Sequence, residues 1–344
     1  MNLPDIPSLH QPALEAALRH CIDNKTKPLG ALGRLEALML QLGRVLGSET
    51  PRLEQPQLVV FAGDHGLTAQ GVSAYPGDVT WQMVMNFLAG GAAVSVLARQ
   101  HGLQLSVVDA GVRCDFEPQP GLLLRKVAPG TADASQGPAM SADQCATALE
   151  AGRDVVRGLP GNALLLGEMG IGNTSSAALL LSRLAGLPIE RCTGRGTGLG
   201  DAALAHKVRV LSGVLALHAH AVEPLQALAA LGGFEIATMV GAVLQAAAER
   251  RVIVVDGFIC GSAVLVAAAL RPAVLECCVF AHQSQESGHA LMLEHLGVQP
   301  LLALDLRLGE GSGAALAWPL LESACRILAE MASFEVAGVS RNAD

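Results

Sequence analysis

The chain has 344 residues, 51% of them hydrophobic, 16% charged and 3% aromatic, with a formal net charge of −8, which suits one large or two ordinary domains with ample core. The acidic balance, the lack of a basic block and the presence of only 7 Phe, 2 Trp and 1 Tyr argue against nucleic acid as a partner. Its 8 cysteines form no CxxC pair and its N-terminus has neither a basic region nor an apolar signal core, so a reducing, cytoplasmic setting is expected.

Residues 1–50 read as helical, with Leu14, Ala17 and Leu18, then Leu35, Leu38, Leu40, Leu42, Val45 and Leu46 at mixed three and four spacing. Between these runs, Lys25 to Arg34 carries a Pro and two Gly and reads as a connection. From residue 57 the pattern changes to short apolar runs that each stop at a small or ionisable residue and then give way to a helical pattern. Leu58–Ala62 stops at Gly63-Asp64-His65, Leu105–Val108 at Asp109, and Ala163–Leu166 at Gly167-Glu168. Val252–Val255 stops at Asp256-Gly257, Cys277–Ala281 at His282-Gln283-Ser284, and Leu301–Leu304 leads to Asp305 and Glu310.

Continuously apolar strands alternating with helices predict an α/β fold, a mainly parallel sheet covered by helices on both faces. Ligands of such sheets bind outside the carboxyl ends of the strands, so Asp64, His65, Asp109, Glu168, Asp256, His282 and Glu310 are expected along one edge. The final helix, about 314–332, is expected to join residues 1–50 in a small helical subdomain (1–50 with about 320–344), leaving 51–319 as the large α/β domain. The mean hydropathy of +0.41 raises the question of a membrane. The longest apolar run, Val252 to Leu270, carries Asp256, Gly257 and Gly261 in its middle, so it reads as a buried strand, a turn and a buried helix, with no membrane span.

Three segments suggest chemistry. Gly167-Glu168-Met169-Gly170-Ile171-Gly172-Asn173-Thr174-Ser175 is a strand-to-helix turn whose bare N–H groups suit a phosphate, the alternative being a plain turn capped by Asn173 or Thr174. Thr193 to Asp201 alternates glycine through Gly194, Gly196, Gly198 and Gly200. The next helix should start near Asp201, placing Lys207 about two turns in, so only a fold-back of the loop brings it to a phosphate. Gly71 to Met83 holds Tyr75 and Trp81, either as the wall for a planar ligand or as an ordinary turn before a helix capped by Asp78.

Near the C-terminus, Gly309-Glu310-Gly311 strips side chains from both sides of one carboxylate, so a flat ligand can approach it closely. The plain alternative is an acid at a helix N-terminus. Gly309 to Ala314 fits a relaxed G-x-G-x-x-A, but the residues after it read as helix and an acid in the loop repels a pyrophosphate, so dinucleotide binding is rejected. No HExxH or close His/Cys set supports a metal, and no G-x-S-x-G elbow supports a serine hydrolase.

Taken together, the chain resembles the nicotinate-nucleotide–dimethylbenzimidazole phosphoribosyltransferase family. The likeness runs from Lys27-Pro28-Leu29-Gly30 through Asp64-His65-Gly66, Gly71-Val72-Ser73-Ala74, Gly167 to Thr174, Gly194-Arg195-Gly196-Thr197-Gly198, Gly232 to Ala237, His282-Gln283-Ser284 and Gly288-His289 to Leu306 to Gly311. Gly63, Gly200 and Ser312 depart from the family's usual Ala, Asp and Thr, and the change at Gly200 leaves open what positions Lys207.

The resemblance implies a Rossmann-like domain with a small helical domain, a homodimer, and transfer of the phosphoribosyl group of nicotinate mononucleotide to 5,6-dimethylbenzimidazole without metal or cofactor. It implies Glu310 as the catalytic base, with Glu168 facing the ribose or C1′. It further implies Gly170, Gly172, Asn173, Gly196, Thr197, Gly198 and Lys207 around phosphate and ribose. Ser73, Tyr75, Gln82 and Leu308 are expected at the benzimidazole, and Asp256, Gln283 and Ser284 on the nicotinate side. The competing readings are another N-glycosidic enzyme, phosphorylase- or hydrolase-like, and a non-catalytic nucleotide-binding protein.

Overall fold

A computed structural model describes residues 3–196 and 198–340. Two helices open the chain, α1 (Pro12–Asp23) and α2 (Arg34–Leu46), and the first strand, β1 (Gln57–Gly63), follows. Next come α3 (Val79–Leu88), α4 (Ala93–His101), β2 (Gln104–Gly111), β3 (Leu122–Leu124), α5 (Ala142–Arg157) and β4 (Ala163–Met169). A long helical excursion runs through α6 (Asn173–Ala185), α7 (Ile189–Cys192), α8 (Asp201–Leu217), α9 (Pro224–Leu231) and α10 (Phe234–Ala248). The chain closes with β5 (Val252–Val255), α11 (Phe258–Leu270), β6 (Cys278–Phe280), α12 (Ser287–Leu296), α13 (Ser312–Glu330) and α14 (Phe334–Ala337).

The strands form one sheet in the order β3-β2-β1-β4-β5-β6, every pair parallel. This is the doubly wound order, in which β1 and β4 leave the sheet's middle in opposite directions and open a crevice at their carboxyl ends. Every residue of β1 and of β5 is buried, as strands covered on both faces require. Helix α10, buried along nearly its whole length, lies across β1, β2, β4 and β5 together with α5 and α11. On the other face α13 packs against α2, α4 and β4.

Two sequence expectations need correction. Leu301–Leu304 is not a strand: Leu301 and Leu302 donate to the carbonyls of Phe280 and Ala281, one bridge pairs Leu302 with His282, and Leu304 is exposed. A left-handed Asp305 turns the chain away before a ladder can grow. Conversely, the short edge strand β3 lay hidden between the proline- and glycine-rich stretches on either side of it. The run from Val252 to Leu270 is the buried strand, turn and helix expected, namely β5 and α11. By length and composition Val79–His101 would also cross a membrane, but it is two helices, α3 and α4, broken at Gly90-Gly91.

The N-terminal helices are pinned to the far end of the chain. Lys25 Nζ donates to the Met331 carbonyl at 2.7 Å, Lys25 bridges Ser333, and Lys27 pairs with Glu36 at 2.8 Å. The cations of the Lys25–Arg34 connection therefore hold helix ends together.

Candidate active site

Three strand ends and one turn converge on a cavity of about 410 Å³ at the carboxyl edge of β4, β5 and β6. Glu168 comes from the end of β4, Asp256 from just past β5, His282 and Ser284 from beyond β6, and Glu310 from the turn before α13. Gly170, Ile171, Asn173 and Thr174 bring in the glycine turn, and Gly196 the second loop. Tyr75, Val79, Met83 and Leu308 supply the apolar rim.

Glu310 is 7% exposed and sits in the left-handed region at φ +67°, between Gly309 at +80° and Gly311 at +95°. Its Oε2 has no hydrogen-bond partner among the described residues. Burial pushes its pKa up to about 6, the Val94 N–H at the start of α4 pulls it down, and the negative charge of Asp256 adds to the rise. The fit with β4 is close. A Cβ on Gly167 would strike the Glu310 carbonyl, and one on Gly309 would strike the Glu168 carboxylate.

Glu168 is 6% exposed and accepts from the side-chain amide of Asn173. Burial, chiefly, and then the charge of Asp256 lift its pKa to about 8, while Asn173 opposes the rise. Two carboxyl groups of different acidity therefore share one cavity, Glu310 being ionised first as pH rises.

A small recess of about 30 Å³ shares the glycine turn with this cavity and is closed by Ser73, Arg195, Gly196 and Lys207. The loop from Gly194 does fold back. Lys207 Nζ donates to Thr174 Oγ1 at 2.9 Å and to the Gly194 carbonyl at 3.5 Å. Burial lowers the Lys207 pKa to about 8, with the nearby Glu286 carboxylate resisting. Helix α6 begins at Asn173 without a side-chain cap, so neither Asn173 nor Thr174 fills that role. The Asn173 N–H already donates to the Gly170 carbonyl, and the Ile171 N–H to Thr80 Oγ1 on α3.

Beneath the turn lies a buried pair, His65 Nε2 to Glu235 Oε1 at 2.6 Å, with Ser176 Oγ 3.1 Å from His65 Nδ1. Burial pushes the His65 pKa down, but the Glu235 carboxylate outweighs it and the net shift is upward.

Not every expected residue reaches the cavity. Ser73 lines the small recess rather than the main cavity. Gln82 is exposed on α3 and lines neither space, its neighbours Val79 and Met83 facing inward instead. Gln283 is exposed and donates its N–H to the Leu302 carbonyl. Gly198, at φ +114°, is exposed and lines neither space. Thr197 lies outside the described residues. Asp78 makes no side-chain cap to α3. Asp64 and Asp109 are buried at the edge, but their carboxylates accept from the backbone N–H groups of Arg113 and Val112.

Sequence reasoning missed Val79 and Met83, whose four-residue spacing on one helix was the available signal. It also gave no role to Glu286, which lines the cavity and faces Lys207.

Comparisons with known proteins agree over nearly the full length. A family model described as phosphoribosyltransferase (DBI_PRT) matches residues 6–339. A nicotinate-nucleotide–dimethylbenzimidazole phosphoribosyltransferase of Variovorax paradoxus (strain S110) is 72% identical over 340 residues, 99% of this chain and 97% of that protein. One of Cupriavidus taiwanensis is 57% identical over 345 residues, 99% of each. A crystal structure of CobT from Thermus thermophilus superposes with a TM-score of 0.93 at 44% identity, covering 96% of this chain and 100% of that one.

Proposed function

This chain belongs to the nicotinate-nucleotide–dimethylbenzimidazole phosphoribosyltransferase family, and from that premise we propose how its cavity moves a phosphoribosyl group from nicotinate mononucleotide to 5,6-dimethylbenzimidazole. The observation that carries the mechanism is the buried Glu310 carboxylate, one oxygen unpartnered, facing the same cavity as the glycine turn.

The 5′-phosphate sits in the recess between the glycine turn and Lys207, where a buried ammonium and a helix N-terminus both favour an anion. The benzimidazole lies against Met83, Val79, Tyr75 and Leu308, its ring edge toward Glu310. The nicotinate occupies the side lined by Ser284, His282 and the start of α11.

The bond between C1′ and the pyridinium nitrogen breaks with its electron pair passing to that nitrogen, so nicotinate leaves with a neutral ring and needs no acid. One benzimidazole nitrogen bonds C1′ from the opposite face, inverting β to α. The proton on its other nitrogen, acidified as positive charge develops, passes to Glu310. General-base help of this kind contributes about 10²–10⁴ in rate. Glu168 stands beside the sugar, where its carboxyl group bonds a ribose hydroxyl or steadies charge at C1′. The products are α-ribazole 5′-phosphate and nicotinate.

The enzyme works as a homodimer in a reducing, cytoplasmic compartment. The half-exposed Trp81 and Met85, one turn apart on α3, support the first point, and eight free cysteines support the second.

Mixing the protein with nicotinate mononucleotide and dimethylbenzimidazole tests this reading, with nicotinate release followed over time. Release that requires both compounds is expected. Release without the benzimidazole would mark a hydrolase, and no release with either would mark a nucleotide-binding protein.

A further inference from the structure

We propose that Asp256 is a positioning residue for the base: it holds the Glu310 turn in its left-handed form by accepting two backbone N–H groups from the start of α13. The proposal rests on the reading of Glu310 as the base.

Three consecutive residues, Gly309, Glu310 and Gly311, have positive φ. Glycine adopts that conformation freely, but a glutamate avoids it unless its surroundings impose it. No side chain within the turn caps α13. The cap comes from another strand: Asp256 Oδ2 accepts from the Gly311 N–H at 3.2 Å, and Oδ1 from the Ala314 N–H at 3.0 Å. Asp256 is itself 2% exposed and follows β5 directly, so the carboxylate is anchored by the sheet.

Gly167 of β4 also sits against the Glu310 carbonyl, with no room for a Cβ. The turn is thus gripped between β4 and an acid after β5. Both oxygens of Asp256 thus accept from the start of α13, while the residue also lines the cavity.

The same carboxylate acts on the base through space. Glu310 is faced by Glu168 from β4, Asp256 from β5, His282 from beyond β6, Arg307 from its own loop and the Val94 N–H from α4. Of these, Asp256 supplies negative charge that favours the protonated form of Glu310. An ionised base at neutral pH with raised basicity is what proton abstraction from an azole requires.

The test compares wild-type protein with D256N and D256S, each keeping a neutral oxygen that accepts one N–H. The readouts are kcat against pH at saturating substrates, and nucleotide affinity by calorimetry. Either variant should lose roughly 10-fold or more in kcat, because a slight misplacement of a catalytic group costs up to about 10²-fold. Its acid limb should move to lower pH by about 1 unit, since a neighbouring like charge has been removed. Nucleotide affinity should stay within about 2-fold, the phosphate recess being untouched. The substrate phosphate titrates identically in every variant, so the displacement belongs to the protein.

An unchanged kcat, or a reduced kcat with an unmoved acid limb, would overturn the proposal. E310Q is run in parallel. If it turns over like wild type, the base reading itself is wrong, an outcome distinct from failure of the Asp256 variants alone.

Discussion

At the residue scale, the site depends on ionisable groups kept out of water. Lys207, 1% exposed with a pKa lowered to about 8 by burial, is charged below that pH and neutral above it. Nucleotide affinity of the free enzyme should therefore weaken as pH rises from 7 to 9, and calorimetry across that range measures it; a flat profile would remove Lys207 from the phosphate site. K207M should weaken nucleotide binding about 10- to 100-fold, the worth of one charge-assisted hydrogen bond, with a smaller loss in kcat. The sequence placed Lys207 two turns into its helix and required a fold-back loop to make it useful, and that loop is present. It could not foresee Glu286, because only folding brings α12's approach beside α8. Nor could it tell that the inward face of α3 belongs to Val79 and Met83 rather than Gln82, since helix rotation is set by packing.

At the element scale, the strand ends were legible because each apolar run stops where the covering helices stop. Val252–Val255 agrees residue for residue, and the other long strands differ by a few residues at their ends. The segment before Glu310 was not legible as irregular: Leu301 to Leu304 has strand composition, but only two of its N–H groups find the sheet. The elements also lean on one another at points a sequence does not reveal. Gly167 in β4 leaves space for the Glu310 carbonyl, so G167A should push the turn outward and cut kcat by about 10- to 100-fold. Nucleotide affinity should stay near normal in that variant, and steady-state kinetics beside calorimetry would detect the split. Thr80 on α3 accepts the Ile171 N–H of the glycine turn. T80V leaves that buried donor unsatisfied, at a cost of about 1–3 kcal/mol, read as a lower Tm in thermal denaturation.

At the scale of the whole molecule, strand order makes the site. An α/β class and a parallel sheet followed from alternating patterns, but nothing in the pattern gave the order β3-β2-β1-β4-β5-β6, because order depends on which face each crossover takes. That order sets β4, β5 and β6 side by side, so Glu168, Asp256 and His282 share one cavity while Asp109, at the end of β2, is spent on its own loop. Glu310 reaches the same cavity from a turn far along the chain, and the small recess closed by Lys207 adjoins it. In the mechanism proposed above, two tasks are therefore separate: the glycine turn and Lys207 hold the nucleotide, and Glu310 takes the proton. Comparing E310Q with wild type for both nucleotide affinity and nicotinate release in the presence of dimethylbenzimidazole tests that separation most directly. Affinity within about 2-fold and release slowed by about 10²–10⁴ is the expected result. Affinity weakened 10-fold with unchanged turnover would contradict it.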